Sequence, residues 1–298
     1  IMQGCENFCT YCVVPYVRGQ ERSRSPQSIV DEIKVLADAG IKEVTLLGQN
    51  VNSYGIKEGD ISFARLLEKV EAVDGIYRVR FAPSHPKDLS VELIHAIRDL
   101  DKVCSHLHLP VQSGSNRILK KMNRGYTRES YFEKIGLLKQ ACPDIAISTD
   151  IIVGFPFETQ KDFLDTKDLL RQIEFDSIFA FAYSDRSSAP AAKFPEQVDE
   201  KQKLDRLNEL LEFQESFTKS KNREQIGKVL EVLVEGESRK KRNGLELSGQ
   251  KQKQMTGRSE SNKIVHFASD RAKIGDIVSI EIEKAYPHSL WGHPVETL

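Results

Sequence analysis

Short apolar strands alternate with amphipathic helices along residues 1–182 of this 298-residue chain, and this alternation constrains the fold more than any other feature. In the stretch RSRSPQSIVDEIKVLADAGIKEVTLLGQN, Ser25 suits a helix N-cap, Pro26 the first helical position and Gly40 the helix end. Residues 44–47 are continuously apolar, which is typical of a strand in a parallel sheet. Further strands are predicted at 1–3, 77–82, 105–109, 145–151 and 177–182, and further helices at 63–72, 90–99, 128–141 and 160–173.

The alternation predicts an α/β fold built from six βα units. Right-handed crossovers connect such strands in parallel, and the sheet can curl into a partial (β/α)6 barrel with its helices outside. A doubly wound open sheet is the alternative that the pattern leaves open. In a barrel, the loops after the C-terminal ends of the strands carry the chemistry.

The pattern changes near residue 225. Residues 199–223 predict one long helix, whose apolar face would be formed by Leu204, Leu207, Leu211 and Phe217. Beyond it, KVLEVLVEGES, GLELSGQ, NKIVHFAS and DIVSIEIEKAYPHSLWG alternate as short strands separated by Gly, Asn and Ser turns. We therefore predict two domains: a partial barrel over residues 1–225 and a small antiparallel β-barrel over residues 226–298.

The composition is that of an ordinary globular protein, with 39% apolar and 29% charged residues. No apolar stretch approaches the roughly 18 to 20 residues needed to cross a bilayer, and no secretion signal opens the chain. We therefore expect a cytoplasmic protein, a monomer, with no membrane contact. Because Ile1 stands inside an apparent strand, we also expect the chain to be a fragment that lacks an N-terminal portion.

Three cysteines, Cys5, Cys9 and Cys12, are spaced C-x3-C-x2-C in the loop after the first predicted strand. A closed zinc site needs four protein ligands and a disulfide needs two, so three thiols suggest a site with a spare coordination position. Three thiolates can bind a 4Fe-4S cluster and leave its fourth iron open. The other two cysteines, Cys104 and Cys142, lie in apolar surroundings and are predicted to be small buried side chains.

The segment GCENFCTYC, with an aromatic residue before its last cysteine, resembles the signature of the radical S-adenosylmethionine (SAM) enzymes. The stretches EVTLLGQNVNSYG, HLPVQSGSNRILKKMNRGYT and STDIIVGFP resemble those of the methylthiotransferases, closest to the tRNA-modifying MiaB type. The likeness runs through nearly the whole chain, and the C-terminal barrel resembles a TRAM domain, an RNA-binding module.

The resemblance implies that Cys5, Cys9 and Cys12 hold a 4Fe-4S cluster whose open iron binds SAM, and that Tyr11 packs near the SAM adenine. The cluster would be reduced by a donor such as flavodoxin or ferredoxin. The other SAM contacts that the resemblance implies lie at strand ends: Gln49, Asn50, Gln112, Ser113, Asp150 and the backbone of residues 152–154. The segment GFPFET departs from the family pattern, because Phe157 stands where a glycine is expected. If that glycine needed a positive φ, the turn would change.

Basic residues suggest an RNA partner despite a net charge of −1. Arg18, Arg22 and Arg24 follow the cysteine loop and would attract phosphate at the predicted site rim. Residues 238–263 contain eight Lys or Arg and two Glu, a local charge of +6. We predict RNA contacts at Arg239, Lys240, Lys241, Arg242 and Arg258.

The resemblance implies a methylthiotransferase core that acts at C2 of N6-isopentenyladenosine beside the tRNA anticodon, with the anticodon stem-loop as partner. The family takes its sulfur from a second cluster in an N-terminal domain, whose cysteines are not in this sequence. Relatives that modify a ribosomal-protein aspartate or threonylcarbamoyl-adenosine are alternatives. A non-catalytic RNA-binding protein, with zinc held by the triad and a histidine, is another.

Overall fold

The computed structural model describes residues 1–238 and 253–295, and these form two compact units, Ile1–Gln214 and Glu215–Leu298. The division falls inside a long helix, so the domain boundary near residue 225 stays a prediction. No helix within the described ranges is long and apolar enough to cross a membrane.

The first unit follows the predicted alternation closely. Its strands are β1 (Met2–Gln3), β2 (Arg22–Ser23), β3 (Glu43–Leu47), β4 (Arg78–Ala82), β5 (His106–His108), β6 (Ala146–Val153) and β7 (Ser177–Ala182). Its helices are α1 (Val14–Arg18), α2 (Pro26–Asp38), α3 (Phe63–Glu71), α4 (Val91–Asp99), α5 (Asn116–Lys121), α6 (Arg128–Ala141) and α7 (Gln160–Ile173), followed by the start of α8 (Glu200–Arg223).

Parallel ladders build the partial barrel. Strand β3 pairs with β4, and β5, β6 and β7 pair in that order. An isolated parallel bridge between Val79 and Val103 joins the two groups. The faces of the strands that turn toward the helices carry buried apolar side chains such as Leu46, Leu107 and Ile151. The predicted partial barrel is confirmed, and the open-sheet alternative is not needed.

The start of α2 has the cap that the sequence predicted, and α6 also begins at a cap. The hydroxyl of Ser25 accepts a hydrogen bond from the Ser28 N–H at the start of α2, with Pro26 at the first helical position. Thr127 and Ser130 form a reciprocal capping box at the start of α6. Sequence reasoning missed α1, α5 and β2 because each is too short to establish a period.

Strand β1 differs from the other barrel strands. Its ladder is antiparallel and joins it to β2, with Met2 opposite Ser23. The amino group of Ile1 also donates to the Leu47 carbonyl at 2.9 Å, so the start of the chain lies beside the end of β3.

The long helix α8 buries a face that the sequence did not predict. Leu204 and Leu211 are exposed, whereas Lys203, Arg206 and Gln214 are buried. Arg206 donates to the Glu158 carboxylate at 2.8 Å, and Gln214 donates to the Phe175 carbonyl at 2.7 Å. The predicted apolar face was therefore wrong at Leu204 and Leu211. The buried side of α8 carries polar side chains with hydrogen-bond partners instead.

The second unit contains a closed five-stranded barrel. Its strands are β8 (Val229–Glu237), β9 (Gln254–Ser259), β10 (Ile264–Ala268), β11 (Ile277–Ala285) and β12 (Leu290–Pro294). They close in the order β10, β12, β11, β8, β9, with β10 and β12 parallel and every other ladder antiparallel. The small β-barrel is confirmed. The predicted strand GLELSGQ lies outside the described residues, and β9 was not predicted.

Candidate active site

The cysteine loop begins at a glycine that no other residue replaces easily. Gly4 has a φ of +78°, and a Cβ added there would lie 2.1 Å from the Gln20 carbonyl oxygen. L-residues are disfavoured at that φ, and the contact forbids a side chain independently. Gly4 thus fixes the direction in which the chain leaves β1 for Cys5.

Hydrogen bonds to the end of α5 hold the middle of the loop. The Thr10 N–H donates to the Met122 carbonyl at 3.0 Å, and its hydroxyl donates to the Lys121 carbonyl at 2.8 Å. The Asn123 amide donates to the carbonyl of Phe8 at 3.0 Å. Because Phe8 itself has a positive φ of 47°, the loop holds a conformation that needs this support.

The three thiols surround one cavity of about 150 Å³. Cys9 is buried and Cys5 and Cys12 are half-buried. Burial raises the pKa of the Cys5 and Cys12 thiols. The remaining lining residues are Asn7, Tyr11, Val14, Gln49, Pro83, Ser84, His85, Pro110, Gln112 and Arg124.

Three polar atoms of lining residues are buried and have no hydrogen-bond partner among the described residues: Gln49 Oε1, Ser84 Oγ and His85 Nε2. An unpaired buried polar atom costs about 1–3 kcal/mol, so such a cluster points to a polar ligand. His85 accepts a hydrogen bond from the Lys87 N–H at Nδ1, which leaves Nε2 unused. Desolvation lowers the pKa of His85 to about 2, so its ring is neutral at physiological pH.

A buried arginine lies against the cysteine loop. Arg124 is 4% exposed and donates from Nη1 to Cys9 Sγ at 3.3 Å and to the Tyr11 hydroxyl at 3.1 Å. It forms no ion pair with a carboxylate in the part of the chain that the structure describes. Buried charges are normally paired, so the cavity favours an anionic group next to the thiols. An iron–sulfur cluster with thiolate ligands fits this requirement.

A single metal ion fits less well. Within residues 1–238 and 253–295, no three His, Cys, Asp or Glu side chains are grouped closely enough to hold one ion. A 4Fe-4S cluster does not need such convergence, because each thiolate binds a different iron. The geometry therefore does not support the zinc alternative.

The structure divides the predicted SAM contacts into two groups. Gln49 and Gln112 line the cavity with Tyr11. Gln112 has a φ of 73° and is tied to β6, because its N–H donates to the Asp150 carbonyl at 2.8 Å. Asn50 and Ser113 do not line the cavity. The Asn50 amide donates to the Asp88 carboxylate, and the Ser113 hydroxyl accepts a bond from the Ser115 N–H.

Asp150 belongs to a polar row on the inner face of the barrel. His106 and His108 each contact the Ser148 hydroxyl at 3.0 Å, and His108 Nε2 lies 3.3 Å from the Asp150 carboxylate. Phe179, opposite Asp150 on β7, packs edge-on against His108 with 5.8 Å between ring centres. Phe179 and Phe181 are 55% and 54% exposed, so this face presents two aromatic side chains beside the polar row.

The predicted basic residues differ in their pairing. Arg18 and Arg22 are exposed and form no ion pair with any described residue, whereas Arg24 pairs with Glu32 at 2.7 Å. In the second unit, Arg258 pairs with Glu235 at 3.1 Å. The predicted contacts Arg239, Lys240, Lys241 and Arg242 lie outside the described residues.

Phe157 has a positive φ of 71°, a backbone conformation that glycine adopts without strain. Its ring packs 5.8 Å from that of Phe194, and Lys121 Nζ lies 4.0 Å above it. Its carbonyl accepts a bond from Arg117 at 2.6 Å. Phe157 therefore adopts a left-handed φ in a turn where its ring has two close contacts.

A model described as the radical SAM superfamily matches residues 1–170, more than half of the chain. The chain belongs to the radical SAM superfamily. A model of the TRAM domain matches residues 223–295, in agreement with the five-stranded barrel.

Curated relatives match the chain from end to end. A tRNA-2-methylthio-N(6)-dimethylallyladenosine synthase from Thermoanaerobacter pseudethanolicus is 52% identical over 100% of this chain and 61% of its own length. A synthase of the same name from Desulfosudis oleivorans is 53% identical over 98% of this chain and 64% of its length. The chain thus spans about three fifths of the length of these relatives.

Among solved structures, the coproporphyrinogen III oxidase HemN from Escherichia coli is similar with a TM-score of 0.56 and 14% sequence identity. The match covers 99% of this chain and 70% of that one. At this level of identity the likeness concerns the fold alone.

Sequence reasoning did not assign Ser84 or Arg124 to the site. Ser84 follows the end of β4, a position that the barrel rule marks for function. No sequence signal identifies Arg124, because its contact with Cys9 joins residues 115 positions apart.

Proposed function

We propose that this chain is the catalytic core of a tRNA methylthiotransferase that modifies C2 of N6-isopentenyl (dimethylallyl) adenosine. The similarity of the whole chain to synthases of that name, at 52% identity, is the observation that carries the proposal. The three-thiol cavity with its buried arginine supports it independently.

In this proposal Cys5, Cys9 and Cys12 hold a 4Fe-4S cluster, and SAM occupies the adjoining space. When bound, the two supply one-electron chemistry able to activate a carbon that acids and bases leave unreactive. Gln49, Ser84 and His85 would use their unpaired polar atoms to orient SAM.

The inner face of the barrel suits a nucleobase. Exposed aromatic rings stack with bases, and the rings of Phe179 and Phe181 are available for this. Asp150 beside them offers a carboxylate oxygen for a base edge, because only its Oδ1 contacts His108. Because the target base must leave its stack to reach an enzyme interior, an anticodon loop is a fitting substrate.

The second unit would hold the RNA. The proposed phosphate contacts are Arg18 and Arg22 on the first unit, together with the basic segment 239–242. Arg258 would attract phosphate less strongly, because its ion pair with Glu235 offsets its charge. A flavodoxin or ferredoxin would supply the electron. A second cluster, expected in the full-length protein, would supply the sulfur. We further propose that the protein acts as a monomer in the cytoplasm.

Mass spectrometry of tRNA nucleosides tests this function. In a strain lacking the full-length gene, 2-methylthio-isopentenyladenosine should disappear and isopentenyladenosine should accumulate. Complementation with a Cys142→Ala gene should restore the product, and a Cys9→Ala gene should not. Loss of a modified threonylcarbamoyl-adenosine, or unchanged nucleosides with loss of a ribosomal-protein modification, would favour the alternative substrates.

A further inference from the structure

Arg124 makes four hydrogen bonds from a site that water barely reaches. Besides Cys9 Sγ and the Tyr11 hydroxyl, its Nε donates to the Tyr126 hydroxyl at 2.9 Å and its Nη2 to the Pro110 carbonyl at 2.7 Å. Pro110 follows β5, and the cysteine loop follows β1. One guanidinium therefore connects the loop of the thiols with the strand end that leads to Gln112.

The charge of this group is the unusual feature. A guanidinium keeps its proton in proteins, so burial cannot neutralise Arg124. Its hydrogen-bond partners are two phenols, a carbonyl and a sulfur, and no carboxylate pairs with it among the described residues. Of these partners, only the Cys9 sulfur becomes a permanent anion when it binds iron.

We propose that Arg124 is a positioning residue that sets the reduction potential of the iron–sulfur cluster. Its N–H group and its charge act on Cys9 Sγ, and hydrogen bonds to ligand sulfurs together with nearby charge are what tune such clusters. Reduction adds one electron and one negative charge, which a buried cation stabilises. Arg124 therefore raises the potential and makes the reduced cluster easier to form. This inference rests on the proposed cluster but not on the identity of the RNA.

The test uses this chain, reconstituted anaerobically with iron and sulfide and titrated with dithionite while the electron paramagnetic resonance (EPR) signal is followed. The Arg124→Met variant should bind iron like the wild type but have a lower midpoint potential, by at least a tenfold change in the reduction equilibrium, 59 mV for one electron. Arg124→Lys keeps the charge and should stay closer to the wild type. Lys120→Met is the matched control, because Lys120 is exposed on the neighbouring helix α5 and solvent screens its charge.

An Arg124→Met cluster with the wild-type potential would overturn the proposal. If Arg124→Met fails to bind iron, the result for Arg124→Lys is used instead. An Arg124→Lys chain that binds iron and has a potential near that of the wild type supports the role of charge. Failure of both variants would overturn the proposal, because a merely structural arginine gives that result. Absence of a cluster from the wild-type chain would contradict the proposed function as well, so the two failures are distinguishable.

Discussion

Several residues around the cavity have a buried polar atom without a hydrogen-bond partner among the described residues. His85 is the clearest example, because desolvation keeps its ring neutral and its Nε2 has no partner among the described residues. The sequence showed a histidine near a strand end but not its burial. Tyr126 contributes to this burial, because its ring centre lies 5.7 Å from that of His85 although the residues are 41 positions apart.

His85 predicts a pH dependence of stability. Its pKa falls from 6.5 to about 2 on folding, so the unfolded chain binds the proton more tightly. The stability that the neutral ring contributes is present above pH 6.5 and is lost as the pH falls below it. Between pH 7.5 and 5.5, the free energy of unfolding should fall by about 1.4 kcal/mol more in the wild type than in His85→Asn.

Urea unfolding of both proteins at the two pH values measures this difference. Asparagine retains an acceptor for the Lys87 N–H, so the variant keeps the local turn. Equal pH dependence in the two proteins would show that His85 titrates normally.

Phe157 predicts an order of stability among its variants. Phe157→Ala removes the ring contacts but keeps a Cβ at a φ of 71°, whereas Phe157→Gly removes the ring and relieves the backbone. A left-handed φ costs an L-residue roughly 1–2 kcal/mol, so the glycine variant should be more stable than the alanine variant by about 1 kcal/mol. Thermal unfolding gives the order, and a more stable alanine variant would contradict the assignment of strain.

At the scale of elements, strands and helices with a clear period were predictable, whereas their junctions were not. Strands β3 to β7 and helices α2 to α4, α6 and α7 lie where the apolar pattern indicated. The six-residue helix α5 gave no period, yet its end holds the cysteine loop at Thr10. The buried face of α8 escaped prediction for another reason, since Arg206 reads as a surface residue until Glu158 is placed against it.

The junction at Gly4 gives a prediction for the cysteine loop. Gly4→Ala should lose most of the iron that the wild-type chain binds, because the added Cβ would displace the loop from the Gln20 carbonyl. Gly136→Ala is the control: Gly136 lies in α6, an added Cβ there would meet no other atom within 4 Å, and alanine should raise stability by up to about 1 kcal/mol. Iron analysis after reconstitution compares the two, and normal iron content in Gly4→Ala would contradict this role.

At the scale of the whole molecule, the charge distribution predicts how RNA affinity responds to salt. Removing Arg18 or Arg22 should reduce the slope of log affinity against log salt concentration by about 0.7 for each lost phosphate contact. Arg24→Met is the control, since Glu32 already neutralises Arg24 and its removal should change the slope less. Fluorescence anisotropy of a labelled anticodon stem-loop gives the affinity at each salt concentration and hence the slope. Equal slopes in all variants would show that Arg18 and Arg22 do not contact RNA phosphates.

The number of cysteines predicts that this chain alone cannot complete methylthiolation. Outside the triad only Cys104 and Cys142 are present, too few for a second three-thiolate cluster. The chain by itself should therefore yield no methylthiolated nucleoside from a modified anticodon stem-loop under reducing conditions with SAM. Formation of that product would show that the sulfur comes from elsewhere.

The proposed function requires Cys5, Cys9 and Cys12 to hold a cluster with one iron open to SAM. Iron and sulfide analysis after anaerobic reconstitution, with EPR spectra of the reduced chain before and after addition of SAM, tests this requirement. We predict about four irons per chain and a spectrum that SAM perturbs. Zinc in place of iron, or a spectrum that SAM does not change, would contradict a SAM-binding cluster at these cysteines.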